Sequence, residues 1–396
     1  MGSTVNSKTS ITTIAATIGA IVALGGCTAI QDFLAPLGPG QQKEQLEPAA
    51  EQQRLEPINR NFFILDAPDQ SVIGEPQIVY TTQENTFSDL AREYGLGYDE
   101  IVAANPGIDP WLPGVETPVL LPTQYVLPDV PRRGLILNIA SKRLFYFPEV
   151  AAGEPVQVLT YPIGIGRVGW ETPLGKSEVV AKARDPSWYV PASVRRERAE
   201  SGNPLPAVVP PGPDNPLGHF VLKLDMPGYL IHGTNQPYGV GMRVSHGCIR
   251  LYPENIEPLY NMVSIGEPVT IINEPYLAGW RDGELYFESH SPLEDDDITP
   301  EERMQEIFDR IRNISGAFIE QAERDHAHVI AGNARGVPIR VLMADASEVM
   351  HRARVVRNTV EPDPNMPTIE EVRALLDEPL ESEIPVEPIP EVEVDE

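Results

Sequence analysis

From Gly134 to Asn273 the chain reads as short apolar runs cut again and again by Gly and Pro. LILNIASKRLFYF gives two alternating strands around Ala140-Ser141-Lys142. VQVLTYPIGIG, GWETPLGKSEVVAKA, LGHFVLKLD and YLIHGT follow in the same style, and Pro268-Val269-Thr270-Ile271-Ile272 reads as a closing strand. Period-two alternation broken by turn residues predicts a mainly β domain, a sandwich or barrel, because each strand must bury one face against a partner. One helix interrupts the pattern: Asn255 to Val263 places Ile256, Leu259, Tyr260 and Val263 on one face. The 41 prolines among 396 residues leave much of the rest to loops and linkers. The longest connection, Trp188 to Pro216, is Pro-rich, and loops of that length are usually functional or disordered.

His232 to Leu251, HGTNQPYGVGMRVSHGCIRL, carries the chemistry. A lone Cys is usually a small buried hydrophobe, and a lone His a satisfied structural residue. Here Cys248 has His246 two residues before it and His232 further back across a Gly-rich segment. A thiol is a strong nucleophile only as thiolate, and a paired histidine is its usual activator. Gly247 beside the thiol lets backbone N–H groups converge on one spot, as an oxyanion hole requires. In a strand, Arg250 would lie on the same side as Cys248 and His246.

This block resembles the L,D-transpeptidase catalytic domain of bacterial cell-wall enzymes, the YkuD or ErfK type. The family's motif is a histidine, a spacer of about fifteen residues, then Ser/Thr-His-Gly-Cys, an apolar residue and Asn or Arg. The chain supplies His232, then Ser245-His246-Gly247-Cys248-Ile249-Arg250. The resemblance implies Cys248 as nucleophile, His232 as general base and acid, and the Gly233 carbonyl as the group orienting that imidazole. It implies an oxyanion pocket shaped by His246 and by the N–H groups of Gly247 and Cys248. Ser245, Arg250 and Asn235 are expected to bind substrate, Arg250 as a clamp for a carboxylate. Trp170-Glu171-Thr172-Pro173-Leu174-Gly175 resembles a second family signature, and Ile163-Gly164-Ile165-Gly166 would let backbone approach the cleft. Trp188–Pro216 would fold over the active site as a lid. His219 is expected to be structural.

Ile78 to Pro122 has its own rhythm. IVYTT alternates like a strand, TFSDLAREYGL and YDEIVAANPGI read as two short helices, and PVLLP closes with a strand. The order βααβ resembles a LysM module, the common peptidoglycan-binding fold. AANPGIDP is typical of it, whereas Gln83-Glu84-Asn85 stands where that family usually has Gly-Asp.

Residues 11–26, an apolar run ending at Cys27, fit a signal-peptide core. Leu24-Gly25-Gly26-Cys27 resembles a bacterial lipobox, which implies lipidation at Cys27 and a bilayer anchor that does not span. Thr28 after it favours the outer membrane over the inner, so the expected location is the periplasm, lipid-anchored. The expected domains are a signal peptide (1–26), a flexible tether (27–76), the LysM-like module (77–123), the catalytic domain (125–274), a helical or mixed extension (275–358) and an acidic, Pro-rich disordered tail (359–396). In the extension, Thr299-Pro300-Glu301-Glu302 is a helix start, followed by an apolar face of Met304, Ile307, Phe308, Ile311, Ile314 and Phe318. Pro338 to Leu342 reads as a strand and Ser347 to Arg357 as a helix.

A net charge of −28 argues against a nucleic-acid partner. No metal or organic cofactor is implied, because the remaining His, Asp and Glu show no ligand spacing. The resemblance implies cleavage of the bond between the diamino acid and D-Ala of a tetrapeptide stem, with transfer of the acyl group to an amine. That amine would belong to a second stem, giving a 3–3 crosslink, or to an outer-membrane protein. Two alternatives stay open: hydrolysis through the same thioester, as a carboxypeptidase or amidase, and a non-catalytic wall-binding lipoprotein.

Overall fold

The computed structural model describes residues 54–361, apart from 59–60, 68, 83–84, 297, 316–320 and 343–345. The expected signal peptide, Cys27, most of the expected tether, Gln83-Glu84, Phe318 and the residues beyond 361 lie outside the described residues, as does the side chain of Ile314.

β1 (Phe62–Ile64) and β2 (Val72–Gly74) fall in the segment expected to be tether. Both are short apolar triplets with partners far along the chain, which outweighs the polar composition around them. The βααβ order then appears as β3 (Gln77–Tyr80), α1 (Phe87–Glu93), α2 (Tyr98–Ala104) and β4 (Pro118–Leu121), with β3 and β4 antiparallel. Thr86 caps α1: its hydroxyl accepts from the Asp89 N–H at 3.3 Å while Asp89 accepts from the Thr86 N–H at 2.9 Å. Phe87, Leu90, Ala91 and Tyr94 are fully buried against Val79, Val119 and Leu121. β5 (Gln124–Val126) returns to pair with β2.

The central region supplies β6 (Gly134–Asn138), β7 (Arg143–Phe147), β8 (Gln157–Pro162), β9 (Ile165–Gly166), β10 (Gly175–Arg184), β11 (Trp188–Tyr189), α3 (Ala192–Glu200) and β12 (Val208–Val209). It continues with β13 (Phe220–Leu224), β14 (Leu230–His232), β15 (Arg243–Ser245), β16 (Ile249–Arg250), α4 (Pro253–Met262) and β17 (Pro268–Ile272). Nine strands form one continuous sheet in the order β1-β8-β7-β6-β17-β10-β13-β14-β16. β17 does not close an edge; it lies mid-sheet, parallel to β6 and antiparallel to β10. Every residue of β6 and β7 is buried. Leu135, Leu137, Leu144 and Tyr146 join Ile256 and Leu259 of α4 in one core, whereas Ile136, Phe145 and Phe147 join Ile73 and Tyr125 in another. The alternation therefore feeds two cores, one on each face.

The extension is woven into what precedes it. β18 (Tyr276–Arg281) and β19 (Glu284–Ser289) form a hairpin on Asp282-Gly283, both at positive φ, as a primed two-residue turn requires. α5 (Pro300–Ser315) starts at Thr299, whose capping box with Glu302 matches the sequence expectation. Met304, Ile307, Phe308 and Ile311 pack with Ile330 of α6 (Gln321–Asn333), with Phe287, and with Ile78 and Leu120 of the βααβ unit. β20 (Ile339–Arg340) adds to β19. The helix expected from Ser347 to Arg357 ends early: α7 (Ala346–Arg352) gives way to β21 (Arg354–Val356), whose β-branched pair runs parallel to β3. The boundary expected at 274 is crossed by a core, in which Val126 packs with Leu277 and Tyr286.

A buried ion pair ties the βααβ unit to the large sheet. Arg143 of β7 reaches Glu100 of α2 through Nη2 at 2.6 Å and Nε at 3.1 Å, with the two side chains 1% and 7% exposed. Nη1 donates to Thr160 Oγ1, Nη2 also donates to the Gly95 carbonyl, and the guanidinium stacks over Tyr125. Gly97, at the start of α2, approaches Gly241 so closely that a Cβ would sit 2.7 Å from its Cα.

Candidate active site

β14 and β16 are parallel neighbours, with Ile231 opposite Ile249 and His232 opposite Arg250. The Leu251 N–H donates to the His232 carbonyl at 2.9 Å. Ile231 and Ile249 are fully buried in the core, so the alternate residues His232, Cys248 and Arg250 turn the other way. All three line one cavity of about 710 Å³. The Gly-rich segment between them makes the crossover that parallel pairing demands, and on the way β15 pairs with β9.

His232 Nδ1 lies 2.6 Å from the Gly233 carbonyl, the bond expected from sequence. A carbonyl can only accept, so Nδ1 carries the proton and Nε2 keeps its lone pair. Burial first, then the Arg250 charge, push the imidazole down to about 4, against an opposing pull from the Gly233 carbonyl. Burial pushes the Cys248 thiol up, countered by the Leu230 backbone N–H and by Arg250. The resting pair is thus a neutral thiol and a neutral imidazole. Arg250 is itself lowered by burial, and its Nε is buried without a hydrogen-bond partner. Its backbone exchanges two hydrogen bonds with Gly164, at 2.8 and 2.9 Å. Side chains would block this approach: a Cβ on Gly164 would meet the Gly239 carbonyl at 2.7 Å.

Ser245, which lines the cavity, and Gly247 also brace the loop that carries the thiol. The Ser245 hydroxyl donates to the Cys248 carbonyl at 2.6 Å and accepts from the Gly247 N–H at 3.2 Å. Ser245 is 3% exposed, so its hydroxyl braces the loop, and the Gly247 N–H is already engaged with it. Gly247 sits at φ +99, where a Cβ would also press the Tyr229 ring at 2.9 Å. Thr172, from the second signature, donates to the Gly247 carbonyl at 2.9 Å and accepts from the Gly166 N–H at 3.1 Å. It joins both sides of the site through one hydroxyl.

The connection from Trp188 to Pro216 has structure of its own, β11 paired with β12 and α3 between them. Trp188, Val194, Arg198 and Val209 of this segment line the cavity, as does Asn235 from the other side. Asn215, 1% exposed, fastens its end by donating to the Pro186 and Pro210 carbonyls and accepting from the Leu217 N–H. His246 also lines the cavity and meets Glu197 of α3, Arg167 and the Trp170 ring. Sequence reasoning passed over Glu197, Arg167 and Asn215, because their roles depend on contacts distant in the chain. His219 pairs with Asp185 on the exposed surface, outside the cavity lining. Among the described residues no group of three or more His, Cys, Asp or Glu is placed to hold a metal ion. None of the described helices is long and apolar enough to cross a membrane.

Residues 132–271 match the family model of the YkuD-type L,D-transpeptidase catalytic domain. The chain is 39% identical over 235 residues to the probable L,D-transpeptidase YbiS of Escherichia coli K12, covering 58% of this chain and 75% of that one. It is 38% identical over 267 residues to the probable L,D-transpeptidase YcfS of the same strain, covering 64% and 82%. With the probable L,D-transpeptidase ErfK/SrfK of Salmonella typhimurium it shares 41% over 226 residues, covering 56% and 72%. The chain belongs to the L,D-transpeptidase family. It is a transferase enzyme with that family's mainly β catalytic domain and additional helices.

Proposed function

We propose that this chain is a peptidoglycan L,D-transpeptidase with Cys248 as nucleophile and His232 as general base. The observation that carries the reading is the His232–Gly233 hydrogen bond, which turns a bare Nε2 toward the cavity that Cys248 also lines. Because both groups rest neutral, proton transfer accompanies attack instead of preceding it.

Cys248 sulfur attacks the carbonyl between the diamino acid and terminal D-Ala of a tetrapeptide stem, and its proton passes to His232 Nε2. The C–N bond breaks, the D-Ala amine leaves with that proton, and a thioester remains. An acceptor amine then attacks. The C–S bond breaks, an amide forms, and the amine's proton returns to the thiolate through His232. The Cys248 N–H faces the developing oxyanion, Arg250 clamps a stem carboxylate, and His246 shapes the wall of the pocket. The Gly247 N–H, held by Ser245, has the lesser part in this pocket.

The acceptor is a second stem or an outer-membrane protein. The βααβ unit serves as a LysM-like wall-binding element. Cys27 carries lipid in the periplasm, on the outer membrane.

The test uses tetrapeptide muropeptides, the protein and its Cys248→Ala variant, with products read by mass spectrometry. Dimers joined 3–3, with D-Ala released and both absent in the variant, are expected. Equal products from the variant would overturn the assignment of Cys248.

A further inference from the structure

We propose that Glu197, on the helix of the Trp188–Pro216 segment, is a positioning residue that fixes which nitrogen of His246 carries its proton. The consequence for rate rests on the acyl-transfer reading of Cys248; the statement about the proton does not.

Two groups of opposite kind meet one atom. His246 Nε2 lies 2.9 Å from Glu197 Oε2, which can only accept, and 3.3 Å from Arg167 Nη2, which can only donate. A single ring nitrogen cannot satisfy both. Protonated, it donates to Glu197; bare, it accepts from Arg167. The shorter contact and the full carboxylate charge place the proton on Nε2. Arg167 pairs with Glu197 as well, and that pairing first, with His246 adding to it, holds the carboxyl below the usual range and keeps it ionised. Trp170 packs edge-on against the imidazole at 4.8 Å between centroids and 84° between planes.

The two partners belong to different parts of the fold. Glu197 rides on α3, while Arg167 follows β9, and its N–H donates to the Ser245 carbonyl at 3.1 Å. If α3 withdraws, Arg167 stays and becomes the remaining partner of Nε2. In the neutral ring the proton then resides on Nδ1. His246 presents a lone pair at Nδ1 with the lid helix in place and an N–H with it withdrawn. A side chain two residues from the thiol thereby reports the position of the lid.

The experiment is nitrogen NMR on the full chain with 15N-labelled histidine, recorded on the alkaline side of the titration, where protonated and bare ring nitrogens are well separated. His232 serves as internal standard, since the Gly233 carbonyl holds its proton on Nδ1 whatever α3 does. His246 is expected as the Nε2–H form in the wild type and in Glu197→Gln, whose amide oxygen still accepts. In Glu197→Ala it is expected to convert to the Nδ1–H form, while His232 is unchanged. An unchanged His246 spectrum in Glu197→Ala would overturn the proposal. Should that variant lose the His232 signature too, Arg167→Ala decides: with Glu197 alone facing Nε2 the Nε2–H form must persist, and its loss also overturns the proposal. In turnover, Glu197→Ala is expected to lower kcat about tenfold, with KM within about twofold and recovery in Glu197→Gln. Equal losses in Ala and Gln would count against it. A wild type with no transferase activity but the expected spectra would sink the acyl-transfer reading and leave this one standing.

Discussion

His232 and Arg250 stand in register on neighbouring parallel strands, so a buried imidazole and a half-buried guanidinium share one wall of the cleft. The cation disfavours a second positive charge on the ring and favours a negative one on the Cys248 sulfur. Burial opposes both charges and outweighs Arg250 at the sulfur. The site therefore holds its proton on the thiol until substrate arrives.

The thiol should alkylate slowly at neutral pH. Burial lifts Cys248 above the ordinary thiol value of about 8.5, so the iodoacetamide rate is expected to keep rising with pH beyond that point. A rate that levels off below pH 7 would mean a preformed thiolate.

Folding stability should carry the signature of His232. Its folded value of about 4 lies below the unfolded value of about 6.5, so the unfolded chain takes up the proton first as the pH falls. The contribution, about 3 kcal/mol, is whole above about pH 6.5 and erodes down to about pH 4. Urea unfolding of wild type and His232→Gln between these limits measures it, and the variant is expected to show the shallower pH slope. Identical slopes would contradict the assignment.

Arg143→Met should strand the Glu100 carboxylate in the interior and cost about 3–5 kcal/mol. Adding Glu100→Gln should recover part of that loss. Denaturant midpoints of the two single variants and the double variant form the cycle, and strict additivity would show that the pair is not coupled.

Gly247→Ala meets both a left-handed backbone and the Tyr229 ring. The expected cost is about 1–3 kcal/mol, taken by the Ser245–Cys248 loop. Acyl transfer should fall at least tenfold, since about 1.4 kcal/mol of misplacement suffices for that. A variant of full activity would show that the loop tolerates a different path.

Period-two alternation, cap signals and the His232/Cys248 spacing were legible because each is written over a few adjacent residues. The capping box at Thr299 follows from such a local pattern, and the bond from His232 to Gly233 is the one the family resemblance implied. The bracing role of Ser245 was not legible: it lines the cavity, and its hydroxyl is also tied into its own loop. Glu197 was invisible because nothing near it in the chain announces that α3 will lie over His246. β1, β2 and β21 were missed or misread because three-residue strands carry little pattern and exist through distant partners.

The pairing of β21 with β3 also governs the order of assembly. β3 is among the first described strands to be made and β21 among the last, so one edge of the βααβ unit stays bare for nearly the whole of synthesis. An uncovered strand edge invites pairing with the wrong chain, and such distant contacts close slowly. Truncation before Arg354 should therefore show first as a soluble-yield defect, even though the missing residues lie far in sequence from Cys248.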